Sequence, residues 1–320
     1  MKYQLLFLNI CLLFFHFSCE KELQVPIPEE EPKLVVNSLL GADSLLRVHV
    51  SKSSVFQEQY TNTTLSDANI IIKKNNQLLG KMKHENDGWY SLNSYAVTAG
   101  NSYQIEVSHP DLETAESATK TLRKVPITSL SYQIKEEGKL EFTFQFDDTA
   151  LQENYYMILL KAYNGISFSD INFYSDNIIF NGNLSENSIG IQQNMLRGSH
   201  TFSDENIDGE NCSISIYAFN ELFNNSEVNQ QYKLELYHIT SDYFKYERSL
   251  TAYYNRDDLP FYKKVNLHSN VNCGYGIFTS YAVDSKTITT TGQMQIIKAE
   301  NQQAAAMCLL QRNSRKRSEI

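Results

Sequence analysis

Side-chain oxygens at alternate positions are the sharpest chemical pattern in this chain. Asp204, Asn206 and Asp208 stand two residues apart and are followed by Gly209. Such spacing lets oxygens converge on one hard cation, and the glycine permits the sharp turn that convergence needs. The run matches positions one, three, five and six of a calcium loop. Position twelve is Ser215 rather than the bidentate Glu, and the flanks read as strand rather than helix. An Asp/Gly-rich hairpin turn explains the same residues, so calcium ligation and a plain turn stand as alternative expectations.

Other chemistry is thinner. Gly274-Tyr275-Gly276 opens like a phosphate-binding loop, but Thr279 stands where the third glycine belongs and no βαβ pattern surrounds it. Glycines at a bulge or a close backbone approach are the expected reading. No GxSxG nucleophile elbow and no HExxH zinc motif occurs, and His49, His84, His109, His200, His238 and His268 are scattered singly. Asp147-Asp148 and Asp257-Asp258 fall at element ends, and adjacency alone does not make a glycosidase pair. No catalytic residue, no cofactor and no enzymatic activity are expected. Cys212 and Cys273 fall in expected strands of one domain, where they can pair in a disulfide. The alternative is two thiols too far apart to bond. No CxxC pair supports a zinc site.

The N-terminus carries an address. Lys2 supplies a positive start, and Leu5 to Phe17 is apolar except at Asn9 and His16. That run falls short of the roughly 20 residues a helix needs to span a bilayer. It ends at Ser18-Cys19, which resembles a bacterial lipobox, with His16 departing from the usual aliphatic. Residues 1–18 are therefore expected to be a lipoprotein signal peptide and Cys19 the lipidated residue. Acyl chains contribute about 0.8 kcal/mol per buried methylene, enough together for a stable anchor. Residues 19–32 hold three prolines and five acids, an extended acidic tether.

The body that must position these groups alternates with period two. Leu46, Val48 and Val50 face away from Arg47, His49 and Ser51, and Tyr103, Ile105 and Val107 repeat the pattern. Further strands are expected at 34–40, 69–74, 77–83 and 89–92, with an edge strand at 115–122. Asn75-Asn76 and Asp87-Gly88 read as tight turns. Residues 33–125 thus predict an immunoglobulin- or fibronectin-III-like β-sandwich. After Val125-Pro126 a second set follows. Leu140, Phe142, Phe144 and Phe146 alternate without a fault, and Tyr155–Tyr163, apolar on both faces, predicts a central strand. Residues 126–290 are expected to form a second sandwich-like domain. It would have one helix near 240–255, introduced by Thr240-Ser241-Asp242, and a closing strand at Tyr275–Ser280. The polar excursion from Asn164 to Asn211 is long enough to suggest recognition. The helix tyrosines are expected to pack, with a partner surface as the alternative. Residues 291–320 read as a frayed tail.

Together these segments resemble the Bacteroidetes lipoprotein family called domain of unknown function 4249. The residues that carry the likeness are Lys33-Leu34-Val35-Val36-Asn37, Arg47 to Ser53, Gly100-Asn101-Ser102-Tyr103, Asn154-Tyr155-Tyr156, Tyr243-Phe244-Lys245-Tyr246 and Ser269 to Phe278. The likeness covers about residues 19–290. It implies an all-β lipoprotein of the outer membrane, on its periplasmic or cell-surface face, often encoded beside a TonB-dependent transporter, and it supplies no catalytic residues. Ser269, Asn270, Gly274 and Gly276 are expected to be structural. A net charge of -9 argues against nucleic acid. The expected function is accessory docking on that transporter. The alternative is a free-standing binder of glycans or other polymers.

Overall fold

The computed structural model describes residues 31–54, 63–135, 139–177, 179–180, 195–196, 200–218, 230–254 and 265–290. The expected signal segment, Cys19 and most of the expected tether lie outside the described residues, as do residues 291–320. The strands are β1 (Leu34–Gly41), β2 (Leu45–Lys52), β3 (Thr63–Thr64), β4 (Asn69–Lys74), β5 (Gln77–Lys81), β6 (Lys83–His84), β7 (Trp89–Ala96), β8 (Ser102–His109), β9 (Leu112–Lys120) and β10 (Ile127–Ile134). Then come β11 (Leu140–Asp147), β12 (Tyr155–Tyr163), β13 (Phe168–Asp170), β14 (Phe173–Tyr174), β15 (Met195–Leu196), β16 (His200–Ser203), β17 (Asn211–Ala218) and β18 (Gln230–Ile239). Helix α1 (Ser241–Tyr254) and β19 (Tyr275–Thr290) complete the described elements. The protein is all-β with sandwich-like layers.

The described strands form three sheets. The long sheet A runs β13-β12-β18-β19-β1-β2-β7-β6, with β16 also on β12 and β3 also on β2. Sheet B, β5-β4-β8-β9, covers one half of it, and sheet C, β10-β11-β17-β14-β15, covers the other. Alternation dictates which face is buried. On β11, Leu140, Phe142, Phe144 and Phe146 are wholly buried, and they join Tyr156, Ile158 and Leu160 of β12 in one core. Val48 and Val50 of β2 meet Ile70, Ile72, Tyr103 and Val107 in the other. The turns follow side-chain chemistry: Asn75 and Asn76 both take positive φ (51° and 64°) between β4 and β5.

Two features depart from the sequence reading. The closing strand does not stop at Ser280. It continues to Thr290, pairing in parallel with β1 over residues 275–281 and antiparallel with β18 over 281–290. Residues 126–290 therefore do not pack only among themselves, since Val271 and Phe278 belong to the first core. The Asn164–Asn211 excursion is also not a free recognition loop in its described parts. Phe173, Phe180 and Phe202 are buried in the second core, and β16 pairs with β12. These apolar pieces are too short to show a period among polar residues. Residues 178, 181–194 and 197–199 of the excursion lie outside the described residues.

Helix α1 begins where expected. The Thr240 hydroxyl accepts from the Tyr243 amide at 3.2 Å, an N-cap for otherwise unpaired donors. Tyr243 is buried over Met157 and Ile239 on the outer face of sheet A, and Phe244 packs on Tyr155 at 4.7 Å between ring centres. Packing thus takes the first turns of the helix, while Tyr254 at its end is exposed.

Candidate functional site

Two loops meet at one end of the second sandwich, one between β11 and β12 and one between β16 and β17. They bring together Asp148, Asp204 and Asp208, whose carboxylate oxygens lie within 4.8 Å of one another. Asp148 and Asp204 are buried and Asp208 is exposed. Of the calcium set expected from spacing, Asp204 and Asp208 converge, and Asn206 is exposed on the same turn. Ile207, packed against the core, holds the loop in that turn, and its amide donates to the Asp204 carbonyl at 2.7 Å. The third acid, Asp148, comes from 56 residues upstream of Asp204, at the end of the Phe-rich β11.

Each carboxylate already has backbone work. Asp148 accepts from the Tyr156 hydroxyl at 2.5 Å and from the Gly209 amide at 2.9 Å. Asp204 accepts from the Asn154 amide at 2.7 Å, and Asp208 accepts from the Leu151 amide at 2.9 Å. Each loop thus caps amides of the other. Burial holds the Asp204 carboxyl above the usual range, and the nearby Asp148 charge adds to the effect. Burial also holds the Tyr156 hydroxyl protonated, with Asp148 reinforcing it. His238 stacks on Tyr156 at 5.5 Å, and its Nδ1 bonds the Arg123 carbonyl at 2.9 Å. Burial keeps His238 below its ordinary value. The three carboxylates are the described residues that could hold a hard cation. What their bonds do is clamp two loops.

Cys212 and Cys273 are both free, the second of the two expected alternatives. Cys212 lies on the core face of β17, whereas Cys273 is exposed at a turn beside the first sandwich. Burial among Asp148, Glu210 and Asp147 pushes the Cys212 thiol up to about 11.

The Ser269–Phe278 run is a junction. The Asn270 side chain donates to the Phe278 carbonyl at 2.9 Å and accepts from the Phe278 amide at 2.9 Å, as a neighbouring strand would. Its carbonyl accepts from the Ser117 hydroxyl, and Asn272 exchanges backbone bonds with Glu116 of β9. His268 and Asn270 both reach Asp242 in the first turn of α1. A Cβ at Gly276, where φ is 103°, would lie 2.2 Å from the Val36 carbonyl, and one at Gly274 would lie 2.7 Å from the Leu34 carbonyl. Close approach of β19 to β1 requires both glycines. The Ser269 hydroxyl accepts from the Val271 amide at 3.3 Å.

The sequence profile of the family described as Domain of unknown function (DUF4249) matches residues 20–287. No curated protein matches the chain. Among solved structures, a β-glucuronidase from glycoside hydrolase family 2 aligns at 8% identity and TM-score 0.21, over 66% of this chain and 19% of that one. The BSP domain of a biofilm-associated protein aligns at 9% identity and TM-score 0.19, over 86% of this chain and 62% of that one. The chain spans less than two thirds of either, and likenesses this loose do not bear on function.

Proposed function

We propose that this chain, which belongs to the DUF4249 family, is a lipid-anchored, non-enzymatic protein that docks on a TonB-dependent transporter of the outer membrane. The observation that supports a binding role is the way the polar groups are spent. Asp148, Asp204 and Asp208 accept from amides and a tyrosine, and Asp242 accepts from His268 and Asn270. These groups build a stiff body rather than stand ready for a proton transfer. The apolar run ending at Ser18-Cys19, and the acidic tether behind it, support the anchor.

Replacing Cys19 with Ala should move the protein from the membrane to the soluble fraction. Unchanged fractionation with lipid label retained would place the anchor elsewhere. The docking itself is tested by affinity purification of the native lipoprotein from detergent-solubilised membranes, where a stoichiometric outer-membrane transporter is the expected companion. Recovery of the lipoprotein alone, under conditions that keep other membrane complexes intact, would refute docking. The second reading, a free-standing glycan binder, is favoured by a groove on sheet B.

A further inference from the structure

We infer that the outer face of sheet B carries a saccharide-binding groove along β4, β8 and β9. The inference rests on the reading of this protein as a binder and names a ligand class for it. A cavity of about 300 Å³ lies there, and a second of about 550 Å³ adjoins it, sharing Gln104 and Ala118. Volumes of this order suit a small ligand or a segment of a polymer.

Register explains the shape. Lys73, Gln104 and Ala118 stand in one row across the three strands, and Ile71, Glu106 and Glu116 stand in the next. Ala118 is exposed and short, so the sheet face is open where a longer side chain would fill it. One wall comes from elsewhere in the chain. Asn270 and Asn272 line the cavity and are held by the backbone exchange with Glu116 and by the Ser117 hydroxyl. The wall is therefore in place before any ligand arrives, which reduces the ordering cost of binding.

The lining chemistry selects the class. Glu106 and Glu116 are direct cross-strand partners on one face, and among the described residues neither has an ion-pair partner. Like charges directly opposite destabilise a sheet, so the pair is a local conflict of the sort that marks a binding surface. The amides of Gln104 and Asn272 and the Lys73 ammonium add donors beside these acceptors. Ile71 and Ala118 supply an apolar floor for the C–H face of a ring. Mixed donors and acceptors over such a floor fit a polyhydroxylated ring, and the two carboxylates disfavour an anionic one. The occupant is a neutral polysaccharide segment.

The test uses the full-length lipoprotein in detergent, titrated with soluble fragments of xylan, mannan and β-glucan, and with polygalacturonate as the anionic probe. Saturable binding of at least one neutral fragment and none of polygalacturonate is expected. The double variant Glu106→Gln/Glu116→Gln should weaken that binding by about tenfold or more, as loss of hydrogen bonds to charged acceptors does. Its thermal midpoint should stay level or rise, because the repulsion is gone. Ala118→Trp, which fills the groove at an exposed position, should abolish binding with the midpoint kept. Absence of saturable binding to any neutral fragment overturns the inference, as does binding that survives both variants. Loss of transporter co-purification with fragment binding intact would instead remove the docking reading and leave the groove standing.

Discussion

At the scale of single residues, the acid clamp makes the clearest demands. Burial, then the Asp148 charge, raises the Asp204 pKa in the folded state. The fold therefore binds this proton more tightly than the unfolded chain does. That contribution is fully present below the ordinary carboxylate value of about 3.9 and is lost as pH rises through the higher folded value. Asp204→Asn keeps an oxygen for the Asn154 amide but cannot ionise. Urea unfolding should find the variant at least as stable as the parent at neutral pH, with its relative advantage shrinking toward acid. If the variant is clearly weaker at neutral pH, and millimolar calcium raises the parent's midpoint, the cluster holds a cation instead. Tyr156→Phe leaves a buried carboxylate short of one strong donor and should cost about 1.5–3 kcal/mol, read by the same unfolding curves. Asp204 and Asp208 were legible as a pair from spacing. Asp148 was visible only as half of an Asp-Asp doublet at a strand end, because nothing local says which distant loop a strand end will meet.

Among elements, β19 bears the most. Gly276→Val must place a Cβ against the Val36 carbonyl at a φ that β-branched residues avoid. A loss of about 3 kcal/mol or more is expected from a chemical-denaturation midpoint. Asn270→Ala removes both bonds to the Phe278 backbone and should cost about 2 kcal/mol. Near-parental stability in either variant would show that β19 can dock on β1 without this corner. The element pattern was most readable where one face alone is buried, as on β2, β8 and β11. It was least readable in β14 and β16, where Phe173 and Phe202 enter the core from segments of two and four residues. Periodicity needs length, and the tertiary core accepts single rings from short pieces.

For the whole molecule, the shared strand couples two cores. The start of β10 is tied to β19 as well: the Ile127 amide donates to Asp284 at 2.9 Å, and Lys286 donates to the Thr128 carbonyl at 2.8 Å. Neither core is complete without β19, so the body should unfold in one step. Trp89 reports the first sandwich and the buried Cys212 thiol the second. In a variant whose other cysteines are replaced, Trp fluorescence and Cys212 labelling should follow one denaturant midpoint. Two separated midpoints would show that the sandwiches melt independently.

The sequence by itself determined the class of structure: alternation chose strands, Asn and Gly chose the turns, and Thr240 chose where the helix starts. It also carried the family, through short runs such as Ser269–Phe278. Only the tertiary structure decided that the last strand would lie parallel to the first, join two sheets into one and bring Asn270 and Asn272 to the edge of β9. Periodicity reports which face of a strand is buried, because burial is local to the side chain. It carries no information about which strand lies alongside, since the backbone bonds that join strands are alike at every residue.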